Sequence, residues 1–261
     1  MSSEVLRVVK EAQITRLSLN RPASRNSLDP ELIDALGTAL EAAAADADVR
    51  VIVLGGEGGA FCSGVDLRSA AVDIGSPERL RERLAGFHRL IRAITGAPQP
   101  VIAAVDGPAV GFGADLAFAC DLRVLSTRGY FEEKFVGIGL MPDGGGTFHL
   151  PRLIGVGRAF EHLLLGSRID AEAAKSLGLT NRVVTPDLLE AECQALASRL
   201  AAGPPLALRA IKQAVRANLD ATLDEALTRE LEGQLRLLQS ADVVEGVSAF
   251  LERRAPAFKG R

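Results

Sequence analysis

The chain has 261 residues, 30 basic against 33 acidic side chains and a formal net charge of −3, with no basic block. That balance argues against nucleic acid or an anionic membrane surface as the main partner. With 48% apolar residues, no Trp and one Tyr, the composition is that of a globular protein without a stacking surface for bases or sugars. No apolar run approaches the roughly 18 residues that span a bilayer. The N-terminal MSSEVLRVVKEAQ has no signal-peptide core. Cys62, Cys120 and Cys193 are widely spaced and form no CxxC pair. The expectation is reduced thiols, a cytoplasmic location, no disulfide framework and no metal site.

Residues 6–9 and 14–19 read as the two strands of a hairpin. A polar loop, NRPASRNSL, occupies 20–28. Asp29 followed by Pro30 is a cap-then-proline start for a helix over 30–46. Its apolar face is Leu32, Ile33, Leu36, Leu40 and Ala43. Residues 51–54 are continuously apolar, as in a strand buried on both faces of a parallel sheet. Ser76-Pro77 opens a helix with Leu80, Leu84, Phe87, Ile91 and Ile94 on one stripe, and His88 beside it reads as a surface or boundary residue. Strands at 101–105 and 122–125 flank a short helix at 111–119. The recurring strand, glycine loop and helix argue an α/β domain with a largely parallel sheet.

Past residue 130 the pattern changes. Residues 131–135 are short and mixed, and 136–147 form an irregular loop long enough to suspect function. Helical stretches at 158–165 and 171–177 lead to a short strand at 181–184. From residue 186 onward, four helices (186–202, 205–218, 222–238 and 241–253) carry no glycine loop. The division is a core of residues 1–185 and a C-terminal helical subdomain of residues 186–261 for packing or oligomerisation.

Two loops stand out, GGEGGAFCSGVDL at 55–67 and GPAVGFGAD at 107–115. Each follows an apolar strand. Their glycines let backbone N–H groups point at a ligand, as an anion-stabilising site needs. Neither loop has the Lys-Ser/Thr of a P-loop, and Leu116 stands where a dinucleotide turn needs its third glycine. Ser63 lies in a glycine turn, and His88, His149 and His162 are available to it. Phe61, however, replaces the first glycine of a nucleophile elbow. What remains is backbone donors plus carboxylates. Asp115 falls one turn into a helix beginning near Gly111, and Asp143 precedes Gly144-Gly145-Gly146. The structural alternatives are a dipole-favoured helix acid for Asp115 and an Asx-turn for Asp143.

In register along nearly the whole chain, these stretches resemble the crotonase family, the enoyl-CoA hydratase/isomerase group. The resemblance takes in Asn20-Arg21-Pro22, Arg25-Asn26-Ser27-Leu28, Ala60-Phe61-Cys62-Ser63-Gly64-Val65-Asp66-Leu67 and Ala103-Ala104-Val105-Asp106-Gly107. It continues through Gly111-Phe112-Gly113, residues 139–146 (GLMPDGGG) and residues 256–261 (PAFKGR). It implies a spiral of ββα units with C-terminal helical trimerisation elements, assembled as a homotrimer or dimer of trimers. It implies an acyl-CoA thioester substrate, with coenzyme A entering as part of the substrate and no resident cofactor. By position, the N–H groups of Val65 and Phe112 would form an oxyanion hole. Ser24, Arg25 and Ala60 would lie along the CoA moiety, with Asp66, Leu67 and Arg68 near its pantetheine and adenine ends.

The chain departs from the hydratase pattern of that family. Of the two glutamates that hold water in hydratases, the first is Asp115 here and the second falls on Phe135. Asp143 instead matches an acid of dienoyl-CoA and epoxyphenylacetyl-CoA isomerases. The reading is an isomerase of a double bond or ring, with Asp143 moving the proton and Asp115 assisting. The alternatives are a 2-enoyl-CoA hydratase of fatty-acid oxidation and a non-catalytic acyl-CoA-binding homologue.

Overall fold

In the computed structural model, which describes residues 4–261, the N-terminal hairpin forms one edge of the large sheet. Strand β1 (Leu6–Glu11) pairs antiparallel with β2 (Ile14–Leu19). It runs two residues past the apolar pattern, because an edge strand tolerates exposed Lys10 and Glu11. Parallel pairing then joins β2 to β3 (Val51–Gly56), β3 to β4 (Val101–Val105), β4 to β6 (Leu122–Ser126) and β6 to β9 (Arg182–Val184). Strands β5 (Pro108–Val110), β7 (Tyr130–Glu132) and β8 (Arg168–Asp170) form a second sheet. Three-residue strands carry too little alternation to be read from sequence, and this sheet was not anticipated.

Side chains alternate across the large sheet, so its two faces have separate cores. Ile52 and Leu54 join the main core with α1 (Pro30–Ala45) and α3 (Pro77–Gly96). Asp29 caps α1, accepting the Leu32 N–H at 2.9 Å, and the helix buries the expected Leu32, Ile33, Leu36, Leu40 and Ala43. Only the second half of α3 is covered: Phe87, Leu90 and Ile94 are buried, while Leu80 and Leu84 are each 38% exposed. Between these lie the short α2 (Leu67–Ala71) and α4 (Phe112–Ala119), the latter buried along its whole length. Helices α5 (Gly146–Ile154), α6 (Val156–Leu165) and α7 (Ala171–Ser176) follow.

On the opposite face, α8 (Leu189–Ala201) lays Leu189, Cys193, Ala197 and Ala201 over Val51, Val53, Ile102 and Val124. Sequence placed α8 with the C-terminal helices, but its apolar stripe is what seals the sheet. The C-terminal helices beyond it are α9 (Pro205–Ala217), α10 (Leu223–Leu238) and α11 (Ala241–Glu252). Cys62, Cys120 and Cys193 are buried and unpaired. No helix among the described residues is long and apolar enough to cross a membrane.

Helix α9 is fastened to the core through Asp121, at the start of β6. Its carboxylate meets Lys212 and Arg216 at 2.7 Å each and accepts the Val101 N–H at 2.8 Å. Lys212 is buried and also donates to the Gln99 carbonyl at 2.9 Å. Burial pushes its pKa down, so the cation depends on that partner. Asp121→Ala leaves a buried ammonium without its counter-ion and is expected to destabilise the fold by about 3 kcal/mol. Thermal unfolding checks this as a lowered melting temperature.

Candidate active site

Backbone pairing brings the two glycine loops together. The Cys62 N–H donates to the Pro108 carbonyl and the Val110 N–H to the Cys62 carbonyl, both at 2.9 Å. The polar loop closes on the other side: Leu28 N–H donates to Gly64 at 2.8 Å, and Asp66 N–H to Leu28 at 2.9 Å. These bonds use the groups on either side of Val65. Among the described residues, neither the Val65 N–H nor the Phe112 N–H meets an acceptor. Phe112 opens α4, where the first N–H groups have no intrahelical partner. Gly64 sits at φ +93°, and a Cβ there would lie 2.8 Å from the Val110 oxygen and 3.8 Å from the Phe112 nitrogen. It lets the two loops lie side by side.

Asn26, fully buried at φ +57°, organises the polar loop that closes this arrangement. Its Oδ1 accepts the Arg21 N–H at 2.8 Å, and its Nδ2 donates to the Glu57 and Ala60 carbonyls at 3.0 and 2.7 Å. Ser63 N–H donates to the Arg25 carbonyl and Ser63 Oγ to the Ser24 carbonyl, both at 3.0 Å. Ser24 and Arg25 are thereby gathered against the first glycine loop, which carries Ala60. The Ser63 hydroxyl is spent on a carbonyl rather than a histidine, which leaves the hydrolase alternative without its dyad. Arg25, Leu67 and Arg68 expose their side chains. Asp66 has work of its own: it caps α2 through the Arg68 and Ser69 N–H groups and pairs with Arg21 at 3.3 Å. Burial alone would raise its pKa, but these partners hold it below the ordinary carboxylate range.

Beside Phe112 lies a group of three carboxyls. Asp115 is fully buried in the first turn of α4, and its Oδ2 accepts the Gly144 N–H at 2.9 Å. Gly144 and Gly146 allow this approach. A Cβ on Gly144 would lie 2.6 Å from Asp115 Oδ2, and one on Gly146 would meet both Asp115 Oδ1 and, at 2.9 Å, Glu133 Oε1. Asp143 is half-buried at the mouth of this group. Burial pushes its pKa up to about 6, against the pull of its own N–H and of His88. His88, read from sequence as a surface or boundary residue, is exposed, and it is close enough to Asp143 to act on its charge.

The third carboxyl, Glu133, was missed by the sequence reading. It is 2% exposed, directly after β7. Burial and the neighbouring Asp115 push its pKa well above the ordinary value, and burial with Asp143 raises that of Asp115. Phe135 is buried with its ring 3.7 Å from where a Gly111 side chain would begin, at the entrance to α4. A groove of about 390 Å³ elsewhere, lined by Arg7, Arg16, Glu57 and Glu190 among others, borders none of these acids.

A family model described as enoyl-CoA hydratase/isomerase matches residues 9–261. A probable enoyl-CoA hydratase of Rhodobacter capsulatus is 41% identical over 100% of both chains. A 1,2-epoxyphenylacetyl-CoA isomerase of Escherichia coli is 39% identical over 96% of this chain and 97% of its own length. Among solved structures, an enoyl-CoA hydratase from Bacillus anthracis superposes with a TM-score of 0.94 at 35% identity, covering 98% of this chain and 100% of that one.

Gly64→Ala puts a side chain at positive φ against the Val110 carbonyl. It is expected to cost about 2 kcal/mol of stability. Urea unfolding of the purified variant measures the loss.

Proposed function

This chain belongs to the enoyl-CoA hydratase/isomerase family, and we propose that within it the protein is an isomerase moving a double bond, or opening a ring, in an acyl-CoA. The observation that carries this reading is the character of the three acid positions. Asp143 alone is half-open, Asp115 is sealed, and a phenyl ring occupies position 135. A carboxylate pair holding one water between them, as hydration requires, has no second member at that position.

The proposed reaction runs on Asp143. As carboxylate it takes the Cα proton of a 3-enoyl thioester. The electron pair moves into the thioester carbonyl, where the Val65 and Phe112 N–H groups stabilise the oxyanion, each worth roughly 3–4 kcal/mol in comparable sites. Asp143, now protonated, returns the proton at Cγ as the pair moves back. No water is added and no redox partner is needed. Asp115, bound to the Gly144 N–H, orients the loop that carries Asp143. The exposed Arg25 and Arg68 suit the CoA phosphates, Ser24, Ala60, Asp66 and Leu67 would lie along the rest of the CoA moiety, and coenzyme A belongs to the substrate. Hydration of a 2-enoyl-CoA is the second reading, favoured by the names of several relatives, including a 2,3-dehydroadipyl-CoA hydratase of Escherichia coli at 37% identity.

The reading includes assembly as a homotrimer or dimer of trimers. Leu223, Leu227, Leu231, Leu235 and Leu238 line one side of α10 and are between 51% and 73% exposed. An apolar stripe of that length on a soluble chain calls for a partner, here further copies of itself.

On a 3-enoyl-CoA, Asp143→Asn is expected to lower kcat about 10³-fold, and Asp115→Asn about tenfold. Because the base must be ionised and Asp143 titrates at about 6, wild-type kcat/KM should rise with pH through that value. Full isomerase activity in Asp143→Asn, or faster hydration of a 2-enoyl-CoA than isomerisation, sinks the isomerase assignment. Separately, sedimentation equilibrium should return three or six times the chain mass, with Leu227→Glu shifting it toward the monomer. A monomeric wild type refutes the assembly.

A further inference from the structure

Glu133 has no part in the reaction as written, and yet the fold commits a fully buried carboxyl to the heart of the site. Its surroundings specify a charge state. Oε1 and Oε2 are both buried and meet no donor, and Asp115 Oδ1 beside them is buried and equally without one. The Oε1 and Oδ1 atoms crowd the same side of Gly146. Two carboxylates have only acceptors to offer each other. One proton placed between them turns two orphaned acceptors into a donor and an acceptor, and removes one of two like charges from a dry site.

We infer that Glu133 is a positioning residue for the proton-transfer step, held as the neutral acid and donating its O–H to the Asp115 carboxylate. The inference rests on the proposed roles of Asp143 and Asp115 and deepens them. With Glu133 protonated, Asp115 Oδ1 accepts from Glu133 while Oδ2 accepts from Gly144 N–H. The carboxylate is then fixed at both ends, and with it the turn that presents Asp143. Ionised, Glu133 would repel Asp115 and add a negative charge near Asp143.

The groups facing Glu133 all push toward its neutral form or stand aside. Asp115 comes from α4 and Asp143 from the loop before α5, and both raise its pKa together with burial. His88 of α3 acts on Asp143. His149 of α5 lies against Gly145, its pKa pushed down to about 4 by burial and by Arg216, Arg123 and Arg152, so it brings no cation to the cluster. On its own stretch, Lys134 is turned outward to Glu132 at 2.8 Å.

The test compares wild type with Glu133→Gln and Glu133→Ala. Gln keeps the shape and supplies a permanent N–H donor; Ala supplies none. Infrared spectroscopy of the protonated carboxyl C=O stretch, at about pH 7 and without substrate, should show a band in wild type that disappears in Glu133→Gln. Melting temperature gives a second substrate-free readout. The native Glu133 keeps a proton that the unfolded chain releases above about pH 4.5, so wild type loses stability as pH rises. Glu133→Gln should therefore melt above wild type near about pH 8 and with it near about pH 4. With the enoyl-CoA that wild type turns over fastest, kcat/KM of Glu133→Gln should stay within about threefold of wild type at neutral pH; wild type should fall at alkaline pH as Glu133 ionises, and Glu133→Gln should not. Glu133→Ala should lose at least about tenfold in kcat at little-changed KM. No wild-type band, or a band that survives in Glu133→Gln, overturns the inference. So does Glu133→Ala with wild-type kcat, or Glu133→Gln as inactive as Asp143→Asn, which would make Glu133 a proton carrier. The infrared and melting results stand whether the substrate is isomerised or hydrated, so failure of the isomerase reading is distinguishable from failure of this one.

Discussion

The short parallel pairing of Cys62 with Ala109 is the contact on which the rest of the site depends. It joins the loop after β3 to strand β5 through two backbone hydrogen bonds. Side chains do not make those bonds, so the geometry they set is indifferent to most substitutions. What the pairing does require is clearance: Gly64 beside Val110, and Gly113 where a Cβ would strike Cys62. The polar loop around Asn26 closes the arrangement through side-chain amide bonds to the Glu57 and Ala60 carbonyls. One glycine-lined seam therefore sets Gly64, the residue before Val65, against Val110 and the Phe112 nitrogen and starts the helix that carries Asp115. In the proposed reaction the oxyanion donors and the acid cluster are set by a single constraint.

The acid cluster works against the stability that the seam provides. Asp115 and Glu133 are buried, as are Phe112, Phe131 and Phe135 on the same stretches of chain. An isolated charge in such surroundings would cost several kcal/mol, so the group lowers its charge by holding protons rather than by recruiting a cation. The contrast with Asp121 is instructive. That carboxylate is also partly buried, but Lys212 and Arg216 compensate it, and it serves to dock α9. At α9 the buried charge is balanced by cations, and in the acid cluster beside Phe112 by protons.

Much of this was legible in the sequence, for definite reasons. The cap-then-proline signals at Asp29-Pro30 and Ser76-Pro77, the apolar run at 51–54 and the glycine loops each carry a local physical cause. They point to α1, α3, the parallel sheet and the loops that meet, whereas α2 and α5 went unread. The second sheet was not legible, because β5, β7 and β8 have three residues each. Nor was the attachment of α8, since its stripe does not say which surface it covers. Glu133 was overlooked because residues 131–135 were read as mixed and the family resemblance directed attention to position 135. A signal did exist. Phe131, Glu133 and Phe135 recur at a period of two and are all buried, while Glu132 and Lys134 face each other on the outer side. An acid on the inner side of such a run is the residue to question.

That period of two also bears on the chemistry. An acid at position 133 rather than 135 is still buried, and its Oε1 lies with Asp115 Oδ1 at Gly146. The phenyl ring of Phe135 takes the forward place, against Gly111. A water poised there for addition would meet an apolar ring on one side and lose a hydrogen bond it needs. A proton passing between two carbons of a bound thioester needs no such water and gains from a dry neighbourhood, where an oxyanion attracts its N–H donors more strongly. The total number of carboxyls near α4 is thus a poor guide to the reaction. Which of them faces the oxyanion, and which stands behind holding a proton, separates adding water from relocating a hydrogen.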